Sequence, residues 1–251
     1  MFNFSKGNAK LKKTAKVLGK LTGQKHTVVS FNLPAPLACP SAGACRAICY
    51  AQQGRYGFES SQRPRIANMQ AIDTLLESGV PALVSELSKH IEKLNRTKSK
   101  LVVRIHDSGD FYRADYVRAW VQVARAFPGV VFYAYTKSID IMPEYLLSND
   151  IPNFVMCASL GGKHDRQAIQ LAEDNHGVIL SRIFPVDPSG PTGQVLPEDT
   201  TRAHAAREGA GYVDGNSEDG DCTLILRQSN RIGLVYHGTR KLTPAQVRAI
   251  A

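Results

Sequence analysis

Between Met1 and Phe58 the chain has no acidic side chain; its first carboxylate is Glu59. Lys6, Lys10, Lys12, Lys13, Lys16, Lys20, Lys25, Arg46 and Arg55 share that stretch. Residues 59–251 hold 22 basic and 22 acidic side chains, so the whole net charge of +9 lies in the first 58 residues. An excess this local marks a contact surface for an anionic partner, and nucleic acid on the segment from Lys6 to Lys25 is the usual candidate. The alternative is a solvated tail that only aids solubility, and charge alone does not choose between them. Long apolar runs are missing too. None approaches the ~18 residues of a membrane-spanning helix, and no signal-type apolar stretch follows Met1. A soluble intracellular protein with no membrane partner is expected. Cysteine is scarce and odd in number (Cys39, Cys45, Cys49, Cys157 and Cys222), which argues against a disulfide framework. At 43% hydrophobic residues the chain is too apolar for general disorder, and 251 residues can bury one large core.

Hydrophobic spacing then orders the chain. Leu11, Ala15 and Leu18 share one helical face within "GNAKLKKTAKVLGKLT" (7–22), surrounded by lysines and ended near Gly23. "TVVSFNLP" (27–34) reads as a strand broken by Pro34, after which Pro36, Pro40 and Gly43 force a loop. Two helical stripes follow over 62–95, parted by Gly79-Val80-Pro81. From there apolar runs alternate with helical segments: strands at 101–106, 130–136, 153–159 and 177–184, helices at 116–127 and 166–174. That alternation predicts βαβ units on a mostly parallel sheet, either open or closed into a partial (β/α) barrel. Residues 185–221 shift to Gly, Pro, Asp and Thr, which predicts a long loop with one helical patch near 198–208. "CTLILR" and "IGLVYH" (222–237) predict two last strands. The expected organisation is a basic segment over 1–26 followed by one α/β domain over 27–251.

Three of the five cysteines fall within eleven residues, in "CPSAGACRAIC". The spacing Cys39-x5-Cys45-x3-Cys49 can set three thiolates around one metal centre where a Pro/Gly loop runs into a helix start. Zinc sites favour paired Cys-x2-4-Cys knuckles with a fourth ligand close by, and neither is present. Iron–sulfur clusters tolerate varied spacing, which makes a [4Fe-4S] cluster the leading expectation, ahead of zinc or of plain buried thiols. At the end of the strand at 101–106, "RIHDSGDFY" (104–112) gathers His106, Asp107, Ser108, Gly109 and Asp110 where loops of α/β sheets carry function. An Asp N-cap for the next helix would account for Asp110 alone. Other strand ends add Lys137, Ser159, His164 and Arg182. His106, Asp107 and Asp110 around a divalent ion would suit a phosphoesterase or nuclease, but that reading leaves the cysteines unexplained.

The segments "NAKL" (8–11), "FNLPAPLACPSAGACRAICYA" (31–51), "RIHDSGDFY", "FYAYTKS" (132–138) and "GDC" (220–222) resemble a phage family, gene product 88. The resemblance covers most of the chain and implies a phage or prophage protein of the host cytoplasm with an iron–sulfur-like centre. Members carry further cysteines near "GDC"; here Asp219, Ile225 and Leu226 stand in those places. Cys222 is the cysteine of that motif and an open candidate for a fourth ligand. The layout is also similar to radical S-adenosylmethionine enzymes. That likeness implies an open iron for the cofactor, with Ser108-Gly109-Asp110 in place of a Gly-Gly-Glu turn and Ser159 near its ribose. The match departs from the typical C-x3-C-x2-C spacing, and Ile48 rather than an aromatic residue precedes Cys49. The expected function is an iron–sulfur protein with radical chemistry on S-adenosylmethionine. The rival is a nucleic-acid-binding protein whose cluster is structural or redox-active.

Overall fold

The computed structural model describes residues 1–6, 8–147, 150–184, 212–214 and 220–235. Its centre is an α/β sheet of eight strands: β1 (Phe4–Ser5), β2 (His26–Phe31), β3 (Lys100–Ile105), β4 (Val131–Thr136), β5 (Phe154–Ser159), β6 (Ile179–Phe184), β7 (Val213–Asp214) and β8 (Arg231–Val235). Their spatial order is β1-β2-β3-β4-β5-β6-β8-β7, and every pairing is parallel except β1 with β2. The sheet is therefore open and mostly parallel. From β2 to β6 each strand lies beside the next in sequence, so the carboxyl ends of successive strands form one continuous rim.

The strands read as apolar runs because both sheet faces are covered. Leu101, Val103 and Ile105 of β3 enter a large core with Phe132 and Ala134 of β4 and Phe154, Met156 and Ala158 of β5. Helices α3 (Glu59–Glu77), α4 (Val80–Leu94) and α5 (Ala114–Ala126) cover that face through Ile72, Leu83, Leu87, Ile91 and Trp120. Their expected stripe is not uniform: Ile66 is exposed, whereas Asn68 is buried and bonds the backbone of Asn3 and Asn32. The short α2 (Cys45–Ile48), α6 (Pro143–Leu147) and α7 (Asp165–Asp174) follow β2, β4 and β5.

The opposite face bears Val28, Val102, Tyr133, Val155 and Cys157, under α1 (Ala9–Thr22) and α8 (Gly220–Ile225). Asn8 caps α1 by accepting from Leu11 N, and Gly23 ends it at φ 70°. Leu11 and Leu18 are buried while most of the lysines face outward, so the basic segment is built into the domain.

The strand expected at 222–227 is instead α8. Its apolar positions fit either period, and the helix lets Cys222, Leu224 and Ile225 pack with α1 while Asp221 reaches the sheet. The helical patch expected near 198–208 lies outside the described residues. Within the expected loop at 185–221, Val213–Asp214 pairs with β8 as a short strand.

Candidate functional site

The loop that leaves β2 and carries the cysteines is pinned to the ends of β3 and β5. Leu33 and Ser108 exchange bonds, Leu33 N to Ser108 O and Ser108 Oγ to Leu33 O, both at 2.9 Å. Asp110 N donates to Ala38 O (2.9 Å), and Cys45 N to Gly161 O after β5 (2.9 Å). Two glycines permit these approaches. A Cβ on Gly109 (φ 87°) would stand 2.6 Å from Leu33 Cβ, and one on Gly43 (φ 49°) 2.5 Å from the Gly162 carbonyl carbon. No other residue fits either place without moving the loop.

Cys39, Cys45 and Cys49 are each half-buried and line one cavity of about 200 Å³. Ser108, Gly109, Asp110, Lys137 and Ser159 line the same cavity, so the ends of β2, β3, β4 and β5 bring eight expected site residues together. Lys137 Nζ donates to Ser159 Oγ at 2.6 Å, which leaves two of its three donors for a ligand. Asp110 is more fully occupied. Its Oδ1 accepts from Thr136 Oγ1 (2.6 Å) and Phe111 N (2.7 Å), and its Oδ2 from Lys137 N (2.8 Å). Burial raises its pKa against those bonds. Asp110 thus positions the loops, and Gly109 supplies close backbone approach.

Beneath the cavity lies an ionic network for which periodicity gives no signal. Arg104, on the inner face of β3, reaches Asp221 Oδ2 at 3.3 Å and Asp107 Oδ1 at 3.5 Å, with its Nε buried and unpartnered among the described residues. Asp221 also accepts from Tyr133 and Tyr135 hydroxyls (3.1 and 3.2 Å) and pairs with Lys10 at 3.5 Å. Burial would raise the Asp221 pKa, but Arg104, Lys10 and the two hydroxyls outweigh it and hold the carboxyl below its ordinary value. Asp107 accepts from Asn8 Nδ2 (3.0 Å) and Tyr56 OH (2.8 Å), and its carbonyl accepts from Tyr50 OH. The fragments "NAKL", "RIHDSGDFY", "FYAYTKS" and "GDC" therefore meet here.

Several expectations part from this arrangement. His106, at φ 69°, turns into the aromatic core, where Nε2 meets Tyr116 OH at 2.9 Å and burial lowers its pKa to about 3. It faces Phe111 edge-on and is not a cavity residue, so His106, Asp107 and Asp110 do not converge on one ion. Cys222 is corrected as well. It is fully buried, its thiol donating to Thr14 O at 3.6 Å, on the α1 side of α8 and not in the cavity wall. Cys157 is buried as expected, and its pKa is pushed up to about 12 by burial. His164 pairs with Asp140 at 3.3 Å, and neither it nor Arg182 lines the cavity. The helix start expected at the cysteines amounts to one turn, Cys45–Ile48, without a side-chain cap, so it offers little dipole.

Among the described residues, no three His, Cys, Asp or Glu side chains gather closely enough for one metal ion. The thiols instead surround a cavity, and a four-iron cluster takes one thiolate per iron, so its ligand sulfurs stand farther apart. Burial pushes the Cys39 and Cys49 pKa values up, followed for Cys39 by Asp110 and the other two thiols, with Lys137 opposing. A cationic centre at this place would relieve that repulsion, and Cys39, Cys45 and Cys49 are the three thiols that would hold it.

No solved structure matches the chain. Over 131 residues it is 30% identical to the Gene 88 protein of Mycobacterium phage L5, covering 51% of this chain and 54% of that protein. Over 128 residues it is 30% identical to the Gene 88 protein of Mycobacterium phage D29, covering 49% and 53%. The match thus spans about half the length of these relatives. The Gene product 88 family profile matches residues 2–237, nearly the whole chain with both ends of the buried network, and the chain belongs to that family.

Proposed function

We propose that this protein holds a [4Fe-4S] cluster on Cys39, Cys45 and Cys49 and acts on S-adenosylmethionine as a radical-type enzyme in the host cytoplasm. One observation carries the reading: the three thiols share a cavity with Gly109, Lys137 and Ser159 at the carboxyl ends of successive parallel strands. Sites of α/β sheets and barrels lie at that rim. Held by those three thiols, a cluster would keep one iron free of protein ligands and would supply one-electron chemistry to a cofactor bound there. The chain does the positioning. Lys137 and Ser159 offer an ammonium and a hydroxyl to a carboxylate or ribose, and Gly109 leaves its backbone open to close approach. Tyr50 and Ile48 line the cavity on the cysteine side. With Cys222 bonded under α1, no fourth thiol closes the centre from that position.

Anaerobic purification with iron and sulfide analysis tests the reading. About four irons per chain are expected. An electron paramagnetic resonance signal that shifts on adding S-adenosylmethionine is expected too. A colourless protein with one tightly held zinc overturns it.

A further inference from the structure

Part of the segment that carries the net charge also lines the cavity. The cysteine loop and Tyr50 form one wall, and Lys10 of α1 lies at the edge. Lys12 and Lys16, one helical turn apart on α1, are exposed, as are Lys20, Arg46 and Arg55. Among the described residues none of these five makes an ion pair, whereas Lys10 is drawn onto Asp221. The same segment exposes aromatic surface. Phe58 is 62% exposed and Tyr50 46%, and the Tyr50 ring is held edge-on by Tyr56 at 5.5 Å, the Tyr56 ring in turn lying under the Arg65 guanidinium.

Cations without acids, interleaved with fixed and exposed rings, are what a single strand of nucleic acid binds: phosphates on the cations and bases on the rings. We infer that the substrate of the cavity is a single-stranded nucleic acid, its phosphates on Lys12, Lys16, Arg46 and Arg55 and one unpaired base at Tyr50. The inference rests on the cavity being the reaction site proposed above. A duplex is disfavoured by reach, since a base inside a stack must first be flipped out to enter the cavity. An anionic lipid surface would also satisfy the lysines. The cavity wall is mostly apolar, and what favours the strand is the exposed Tyr50 ring in that wall, a stacking surface for a base.

The test uses the full chain and fluorescein-labelled 20-residue DNA and RNA strands, with anisotropy read across a salt series. Affinity should fall with salt at about −0.7 in log–log slope for each phosphate neutralised. The double variant Lys12→Glu, Lys16→Glu should flatten the slope by about 1.4, two contacts' worth. Phe58→Ala, at an exposed position, should weaken binding about fivefold or more. Saturating strand should slow alkylation of Cys45 and Cys49, read by mass spectrometry in iron-free protein. Binding without that protection would place the strand elsewhere and overturn the inference. So would binding to phosphatidylserine vesicles but to neither strand. Iron content and the response to S-adenosylmethionine are recorded on the same preparations. Strand binding without iron sinks the cluster and spares the strand; an iron centre responding to the cofactor with no strand bound does the reverse.

Discussion

Replacing Asp221 by Asn removes one charge from the buried network beneath the cavity and almost no volume. The side chain is fully buried and holds Arg104 at 3.3 Å, Lys10 at 3.5 Å and the hydroxyls of Tyr133 and Tyr135. Breaking a buried ion pair from one side costs roughly 3–5 kcal/mol, because the partner charge stays behind without compensation. Arg104 retains Asp107 at 3.5 Å and Lys10 is 43% exposed, so the lower end applies, about 3 kcal/mol. For a chain of this size that lowers Tm by about 6–12 °C. Calorimetry at pH 7 reads it, and 1 M salt should leave the loss in place, since buried pairs are poorly screened. The pH dependence has a definite sign. The folded Asp221 pKa lies below its unfolded value of ~3.9, so its stabilisation is complete above that pH and is lost as pH falls through the folded value. The Asp221→Asn variant has no such acid loss. A Tm within about 2 °C of wild type, or a deficit that vanishes in high salt, would refute the buried-network account.

His106 makes the converse test, since it is neutral in the fold with a pKa near 3 while the unfolded chain takes up a proton near 6.5. Its contribution should fall by about 1.4 kcal/mol per pH unit from 6.5 toward 3. His106→Asn, which tolerates the same positive φ, should remove that slope in paired urea titrations at pH 7 and 5, and an unchanged slope counts against the buried placement. Gly109→Ala combines a positive φ with a 2.6 Å contact to Leu33 and should cost about 2–4 kcal/mol in urea unfolding. It should lower iron uptake as well, and a stable variant with full iron would contradict the pinning of the loop. Cys45→Ala should lose its iron, whereas Cys222→Ser should keep it and lose only stability; a folded Cys222→Ser without iron would move Cys222 into the centre.

The parallel sheet was legible because burial on both faces leaves strands such as "VVFYAYT" without a polar face, and alternation with helices did the rest. The cavity was half legible. Three thiols in one loop and polar residues at strand ends are local patterns, and the common rim joins them. The network under it was not, since positions 10, 104, 133, 135 and 221 obey no shared period. Arg104 hides inside an apolar strand, and Asp221 opens a segment whose short apolar run suits strand or helix equally. His106 misleads for a related reason. Adjacency to Asp107 suggests a shared rim, but its backbone turns the ring back toward Phe111 and Tyr116.

The charges around the cavity balance without the outward side chains of the basic segment. Lys10, Arg104 and Lys137 face Asp107, Asp110 and Asp221, three cations against three carboxylates, before any thiol ionises. With Cys39 and Cys49 raised by burial, the bare site holds thiols at neutral pH, and iron binding must release their protons. Uptake of iron should therefore tighten as pH rises, driven by the metal and not by surrounding lysines. Lys137 is the cation that opposes the rise at Cys39. The outward lysines of α1, Arg46 of the cysteine loop and Arg55 beyond it take no part in that balance. Their charge is directed at solvent, where the proposed strand would meet it.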